Sequence, residues 1–137
     1  MVIDHVGIVV GDLAAGIGQW STLFGYRQLT EIVENRLQRV RVVFLVKDGS
    51  PIVKLVEASD ESSPVFAYGK KGGGLHHLCF RCADLDSELC RLRAHGVRVL
   101  AHPQPGEAFA DEKIAFVYAG QGLNIELIDT EEKACRL

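Results

Sequence analysis

Ile3-Asp4-His5-Val6 and Leu75-His76-His77-Leu78 are one motif written twice, 72 residues apart. Working outward, Asp12-Leu13 matches Asp84-Leu85 at the same offset. Gly25, Arg27 and Leu29 match Gly96, Arg98 and Leu100 at 71, and Arg41, Phe44 and Leu55 match Lys113, Phe116 and Leu127 at 72 again. Agreement at both ends and in the middle makes the chain two copies of one unit, and such a repeat decides the architecture before any local motif does.

Each copy reads as a strand, a helix and three further strands. Val2 to Val10 is β-branched and apolar on both faces. Asp12 then offers an N-cap, Leu13, Ile17, Trp20 and Phe24 recur at helical spacing, and Gly25 stops the run. Strands are expected at Arg27 to Glu34, Val40 to Lys47 and Ile52 to Glu57, with Asp48-Gly49 turning between the last two. The second copy repeats the order. A strand from Leu75 to Cys82 leads to a helix capped by Asp84 and ended by Gly96, followed by shorter strands at Arg98 to Leu100, Ile114 to Tyr118 and Asn124 to Asp129. The expected fold class is α+β: two βαβββ modules in tandem, at 1–58 and 74–137, joined by a linker at 59–73 within one domain spanning 1–137. The Gly-Lys-Lys-Gly-Gly-Gly run from Gly69 to Gly74 precedes a strand instead of opening a helix, so it lacks the geometry of a phosphate cradle. It reads as a flexible connector, or else as a lid.

At 137 residues the chain can bury a core without disulfides or a structural metal. With a net charge of -3 and no basic cluster larger than pairs such as Lys70-Lys71, it has no surface suited to tracking nucleic-acid phosphates. Met1 passes directly into a strand-like run with neither a basic leader nor a long apolar stretch, so a cytoplasmic protein without a membrane span is expected. Cys79, Cys82, Cys90 and Cys135 are expected to be free thiols acting as small buried hydrophobes. Cys79 and Cys82 lie three apart in a strand and so point to opposite faces.

The repeat also nominates a site. His5 and His77 are equivalent on the first strands, Lys54 and Glu126 on the last, and modules packed side by side bring equivalent positions together about a pseudo-twofold axis. Read singly, each histidine is well explained as a hydrogen-bonded core residue and Glu126 as the ion-pair partner of Lys54. Their equivalence is what favours a site. Two neutral imidazoles and a carboxylate suit one divalent ion, Zn, Co, Ni, Mn or Fe, and three protein ligands leave positions for water or substrate. His76 faces the other way by strand parity and stays outside the ligand set.

Ile3-Asp4-His5-Val6-Gly7-Ile8-Val9-Val10-Gly11-Asp12-Leu13, Asp60-Glu61-Ser62-Ser63-Pro64-Val65, Gly72-Gly73-Gly74-Leu75-His76-His77-Leu78-Cys79-Phe80 and Leu123-Asn124-Ile125-Glu126-Leu127 together resemble the vicinal oxygen chelate superfamily of glyoxalases, bleomycin-resistance proteins and dioxygenases. Within it, the similarity is greatest to the methylmalonyl-CoA epimerase branch. The resemblance implies paired modules forming an open, cup-shaped mixed sheet with helices outside. It also implies a divalent metal in the cup held by His5, His77 and Glu126, an enolate stabilised by that metal, and a homodimer.

The chain departs from that pattern at telling positions. The family's fourth ligand is a Glu or Gln where Lys54 stands, and an ammonium has no lone pair to give a cation. The position of the epimerase's carboxylate base falls on Val42, and the turn from Val117 to Gly122 lacks the epimerase-like His-Pro-Lys. Two functions therefore compete. The first is a metal-assisted isomerase or lyase of the epimerase and glyoxalase kind, with Glu126 and Lys54 as catalytic residues. The second is a metal-free, non-catalytic binding protein of the bleomycin-resistance kind, in which Lys54 pairs with Glu126 and the cup holds a drug or another small acidic or aromatic ligand. Ring-cleaving dioxygenase chemistry also fits two His and one carboxylate, and resembles this chain less.

Overall fold

The structure, a computed structural model, describes residues 1–137. The first half runs β1 (Val2–Val9), α1 (Leu13–Phe24), β2 (Arg27–Gln28), β3 (Val33–Asn35), β4 (Val40–Val46) and β5 (Ile52–Ala58). After a short helix α2 (Phe66–Lys70), the second half runs β6 (Gly74–Arg81), α3 (Leu85–Ala94), β7 (Arg98–Pro105), a 3-10 turn (Glu107–Phe109), β8 (Lys113–Tyr118) and β9 (Asn124–Ile128).

All nine strands form one open mixed sheet in the order β2-β4-β5-β1-β6-β9-β8-β7, with β3 also on β4. The halves meet where β1 and β6 run antiparallel. On either side of that seam the pairing is parallel and repeats in register: Gly7 opposite Lys54 between β1 and β5, Cys79 opposite Glu126 between β6 and β9. The α+β class and the paired modules expected from the repeat are what the sheet shows.

Equivalent devices start the two long helices. Asp12 accepts a hydrogen bond from the Ala15 amide at 2.7 Å, and Asp84 from the Ser87 amide at 2.9 Å. An acid ending the last strand of each half caps the same helix again: Glu57 accepts from the Leu13 amide, and Asp129 from the Leu85 amide at 2.9 Å. These acids sit where the helix dipole favours negative charge, and they tie each helix to its sheet. Gly25 ends α1 in the left-handed conformation, φ 73°. Leu13, Ile17 and Trp20 pack over Tyr26, Val43, Leu45, Val53 and Leu55, and Leu85, Leu89 and Leu92 over Ala115, Val117 and Leu127. A third apolar cluster, including Val42, Phe44, Val56, Phe109 and Ile128, lies inside the cup.

Three expectations change. The strand expected from Arg27 to Glu34 is two short pieces, because the backbone between them bonds to the C-terminal tail: Glu31 N–H donates to Cys135 C=O and Leu137 N–H to Leu29 C=O, each at 2.9 Å. β7 is longer than expected, reaching Pro105. Pro103 and Pro105 suppress the strand signal, yet an edge strand accommodates prolines that donate no ladder bond. All four thiols are free, but only Cys79 is fully buried; Cys82 is half-buried, and Cys90 and Cys135 are exposed. The Gly run is seated closely on β1, since a Cβ on Gly73 would overlap the Val9 carbonyl. No helix is long and apolar enough to cross a membrane.

Candidate metal centre

At the seam of the cup, His5 Nε2, His77 Nε2 and Glu126 Oε1 form a triangle with edges of 3.1, 3.3 and 3.7 Å. The three residues are 0, 2 and 0% exposed. Donors bonded to one ion at about 2.0–2.2 Å stand roughly 3–3.5 Å apart, so the triangle has the dimensions of one face of a coordination shell. Its polarity fits as well. Asp4 Oδ2 lies 2.7 Å from His5 Nδ1, so the ionised carboxylate holds the ring proton there and leaves the Nε2 lone pair facing inward. Glu126 Oε1 is buried without a hydrogen-bond partner. A buried orphan acceptor facing imidazole lone pairs is poorly placed alone and well placed around a cation.

The sheet aims these groups with two β-bulges. Between β1 and β6 the register slips once around Asp4 and once around His76, which are themselves repeat-equivalent. Each extra residue turns its side chain onto the next histidine. Asp4 reaches His5 Nδ1, and His76 Nδ1 reaches His77 Nδ1 at 2.8 Å. Strand parity, which set His76 aside, fails at a bulge.

Lys54 occupies the fourth corner, 3% exposed, with Nζ 3.4 Å from Glu126 Oε2 and 5.2 and 5.8 Å from the ring centres of Phe109 and Phe44. A second cation is buried nearby. Lys133, from the C-terminal tail, contacts Asp4 Oδ2 at 3.1 Å and covers the same two rings. Arg81 reaches Asp4 Oδ1 at 3.3 Å. All four residues nominated by the repeat, His5, Lys54, His77 and Glu126, are thus brought together. Asp4, His76 and Lys133 were missed. The first two carried a signal, because each precedes a nominated histidine in its copy. Lys133 has no repeat counterpart to mark it.

Burial alone would raise the Glu126 carboxyl, but the charge of Lys54 holds it well below the ordinary range. Burial likewise opposes ionisation of Asp4, and the hydrogen bond with His5 together with Lys133 outweighs it. Burial drives His77 well below the ordinary imidazole value, which keeps the ring neutral and its lone pair free for a metal. The unfolded chain takes up a proton at His77 near pH 6.5 that the folded chain refuses. Metal-free protein should therefore lose up to about 1.4 kcal/mol of stability per pH unit per such histidine as pH falls below about 6.5. Thermal melts at pH 7.5 and 5.5 check this, and equal stability at both would contradict it.

Above the triangle opens a cavity of about 480 Å³ whose wall is chiefly apolar, with Val42, Val56, Val65, Leu100 and Phe116 facing Lys54, His76, His77 and Asn124. Pro64 and Val65 from the segment joining the halves form part of the wall.

A profile of the Glyoxalase/Bleomycin resistance protein/Dioxygenase superfamily matches residues 4–116. The chain belongs to this superfamily. Among solved members, methylmalonyl-CoA epimerase from Mycobacterium tuberculosis superposes with a TM-score of 0.83 at 33% identity, covering 93% of this chain and 87% of that one. A variant of the Streptomyces coelicolor methylmalonyl-CoA epimerase, in complex with 2-nitronate-propionyl-CoA, superposes with a TM-score of 0.82 at 31% identity, covering 96% and 98%. The ethylmalonyl-CoA/methylmalonyl-CoA epimerase of Cereibacter sphaeroides is 27% identical over 118 residues, 85% of this chain and 87% of that one. These superfamily relatives are epimerases acting on acyl-CoA compounds, and the open sheet with external helices is the fold they share with this chain.

Proposed function

We propose that the protein is a metal-dependent isomerase of the epimerase kind, which moves a proton on the carbon beside a carbonyl group. The observation that carries the reading is the buried triangle of His5 Nε2, His77 Nε2 and Glu126 Oε1, the last an orphaned carboxylate oxygen. When bound, a divalent ion there would supply Lewis-acid polarisation of a substrate oxygen. Lys54 lines the cavity and Glu126 stands behind it, so Lys54 is the group that meets the substrate. Its amine takes the proton from the substrate carbon. Glu126 Oε2 holds the resulting ammonium, which returns a proton once the planar carbanion has turned its opposite face to Lys54, so that the centre is inverted. The apolar wall excludes water from the carbanion. A small acidic carbonyl compound and a homodimer complete the proposal, the latter checked by sedimentation.

One observation favours a second reading. Lys54 already neutralises Glu126, and the wall offers apolar Val42 where the epimerase branch carries a carboxylate base. Those features suit a metal-free binding protein for a small acid. Titration of chelator-treated protein with Zn, Co, Ni and Mn separates the two. The metal reading expects tight binding near one ion per chain, followed by solvent-deuterium exchange into the α-carbon of methylmalonyl-CoA or a simpler carbonyl acid. Failure of all four metals to bind tightly would leave the binding-protein reading.

A further inference from the structure

We infer that His76 is a further catalytic residue, donating its Nε2–H to the substrate oxygen that gains negative charge during the reaction; this rests on the metal reading above.

The assignment follows from where protons must sit. His77 Nε2 is a corner of the triangle and offers its lone pair to the metal, so the proton of its neutral ring is on Nδ1. That Nδ1 lies 2.8 Å from His76 Nδ1. Two ring nitrogens so close share one hydrogen: His77 donates and His76 accepts. A neutral His76 then carries its own proton on Nε2.

His76 Nε2 has no partner within the chain, and the half-buried ring lines the cavity beside Lys54 and Asn124. Its repeat counterpart shows why this is more than ligand support. Asp4, on the matching bulge, also fixes the Nδ1 of a histidine, but Lys133 and Arg81 occupy its carboxylate oxygens, and Asp4 does not line the cavity. Asp4 is closed and serves only to position His5. His76 performs the same service for His77 while its far nitrogen stays open to the cavity. A preorganised donor at a developing oxyanion is worth about 10²–10³ in rate.

The test uses protein loaded with Zn and carrying ¹⁵N-histidine. Long-range proton–nitrogen NMR should show His76 protonated on Nε2 alone, and His77 on Nδ1 alone. Oxalate, a planar dianion resembling an enediolate, should move the His76 Nε2 signal. At saturating Zn, His76→Phe should weaken oxalate binding by about 10–100-fold, the range for a hydrogen bond to a charged group, whereas His76→Gln, which keeps an amide donor, should retain most of it. Saturation with Zn separates loss of the donor from loss of the metal. Protonation of His76 on Nδ1, failure of the Zn-loaded protein to bind oxalate, or unchanged affinity in His76→Phe would overturn the inference while leaving the metal centre intact. Failure to bind Zn at all would overturn both.

Discussion

Lys54→Glu should bind Zn about 10²–10³-fold more tightly than the parent chain, while its metal-free form melts well below the parent. Both effects come from one substitution at one corner. Lys54 Nζ stands 3.4 Å from Glu126 Oε2, and neither side chain is more than 4% exposed. Each unit of like charge near 4 Å costs about 4 kcal/mol at the effective dielectric of a protein site, so the ammonium opposes a divalent ion strongly. The variant removes that opposition and adds an oxygen ligand. Without metal, however, it leaves two buried carboxylates beside each other. Loss of one partner from a buried pair costs about 3–5 kcal/mol, and the second acid adds to the cost. Lys54→Gln gives an intermediate, foldable comparison with no added charge. Calorimetric titration of both variants, with melts in the presence and absence of Zn, tests the argument. Unchanged Zn affinity in both would place Lys54 outside the ligand shell and remove it from the mechanism proposed above.

The sequence made this corner legible because the repeat constrains pairs of residues, not single ones. His5 with His77 and Lys54 with Glu126 share a 72-residue offset, and the sheet converts that offset into matching registers on either side of the β1–β6 seam. Side-chain direction was less legible. The alternation that set His76 aside presumes an unbroken ladder, and a bulge adds a residue without altering local composition. Asp4 escaped notice for the same reason. Lys133 and the split between β2 and β3 depend on the tail crossing back to the first half, a contact between distant segments that periodicity cannot register. In β7 the two prolines gave the wrong weight, since their cost to a strand depends on whether it lies at an edge.

Gly7→Ala should damage the site more than any other single added methyl group. Gly7 lies between the machinery of both halves, opposite Lys54 on one side and His77 on the other. A Cβ built on it would fall inside the His77 imidazole, overlapping Cε1, Nδ1 and Nε2. Its conformation is not the obstacle, because no left-handed φ is required there. Space is the obstacle, and the neighbour that must yield is a proposed ligand held between His5, His76 and Phe116. Overpacking of this kind costs about 1–3 kcal/mol. Relief by rotating His77 would withdraw Nε2 from the triangle and break its contact with His76, so Zn affinity should fall by about 10–100-fold, the range for lost ligand support. Gly18→Ala is the control. It lies within α1 with nothing near the added methyl group, and should stabilise the protein by about 0.5–1 kcal/mol with Zn binding unchanged. Wild-type Zn affinity in Gly7→Ala would mean that His77 does not need its present position to hold the ion, and the proposed ligand set would have to be redrawn around His5 and Glu126.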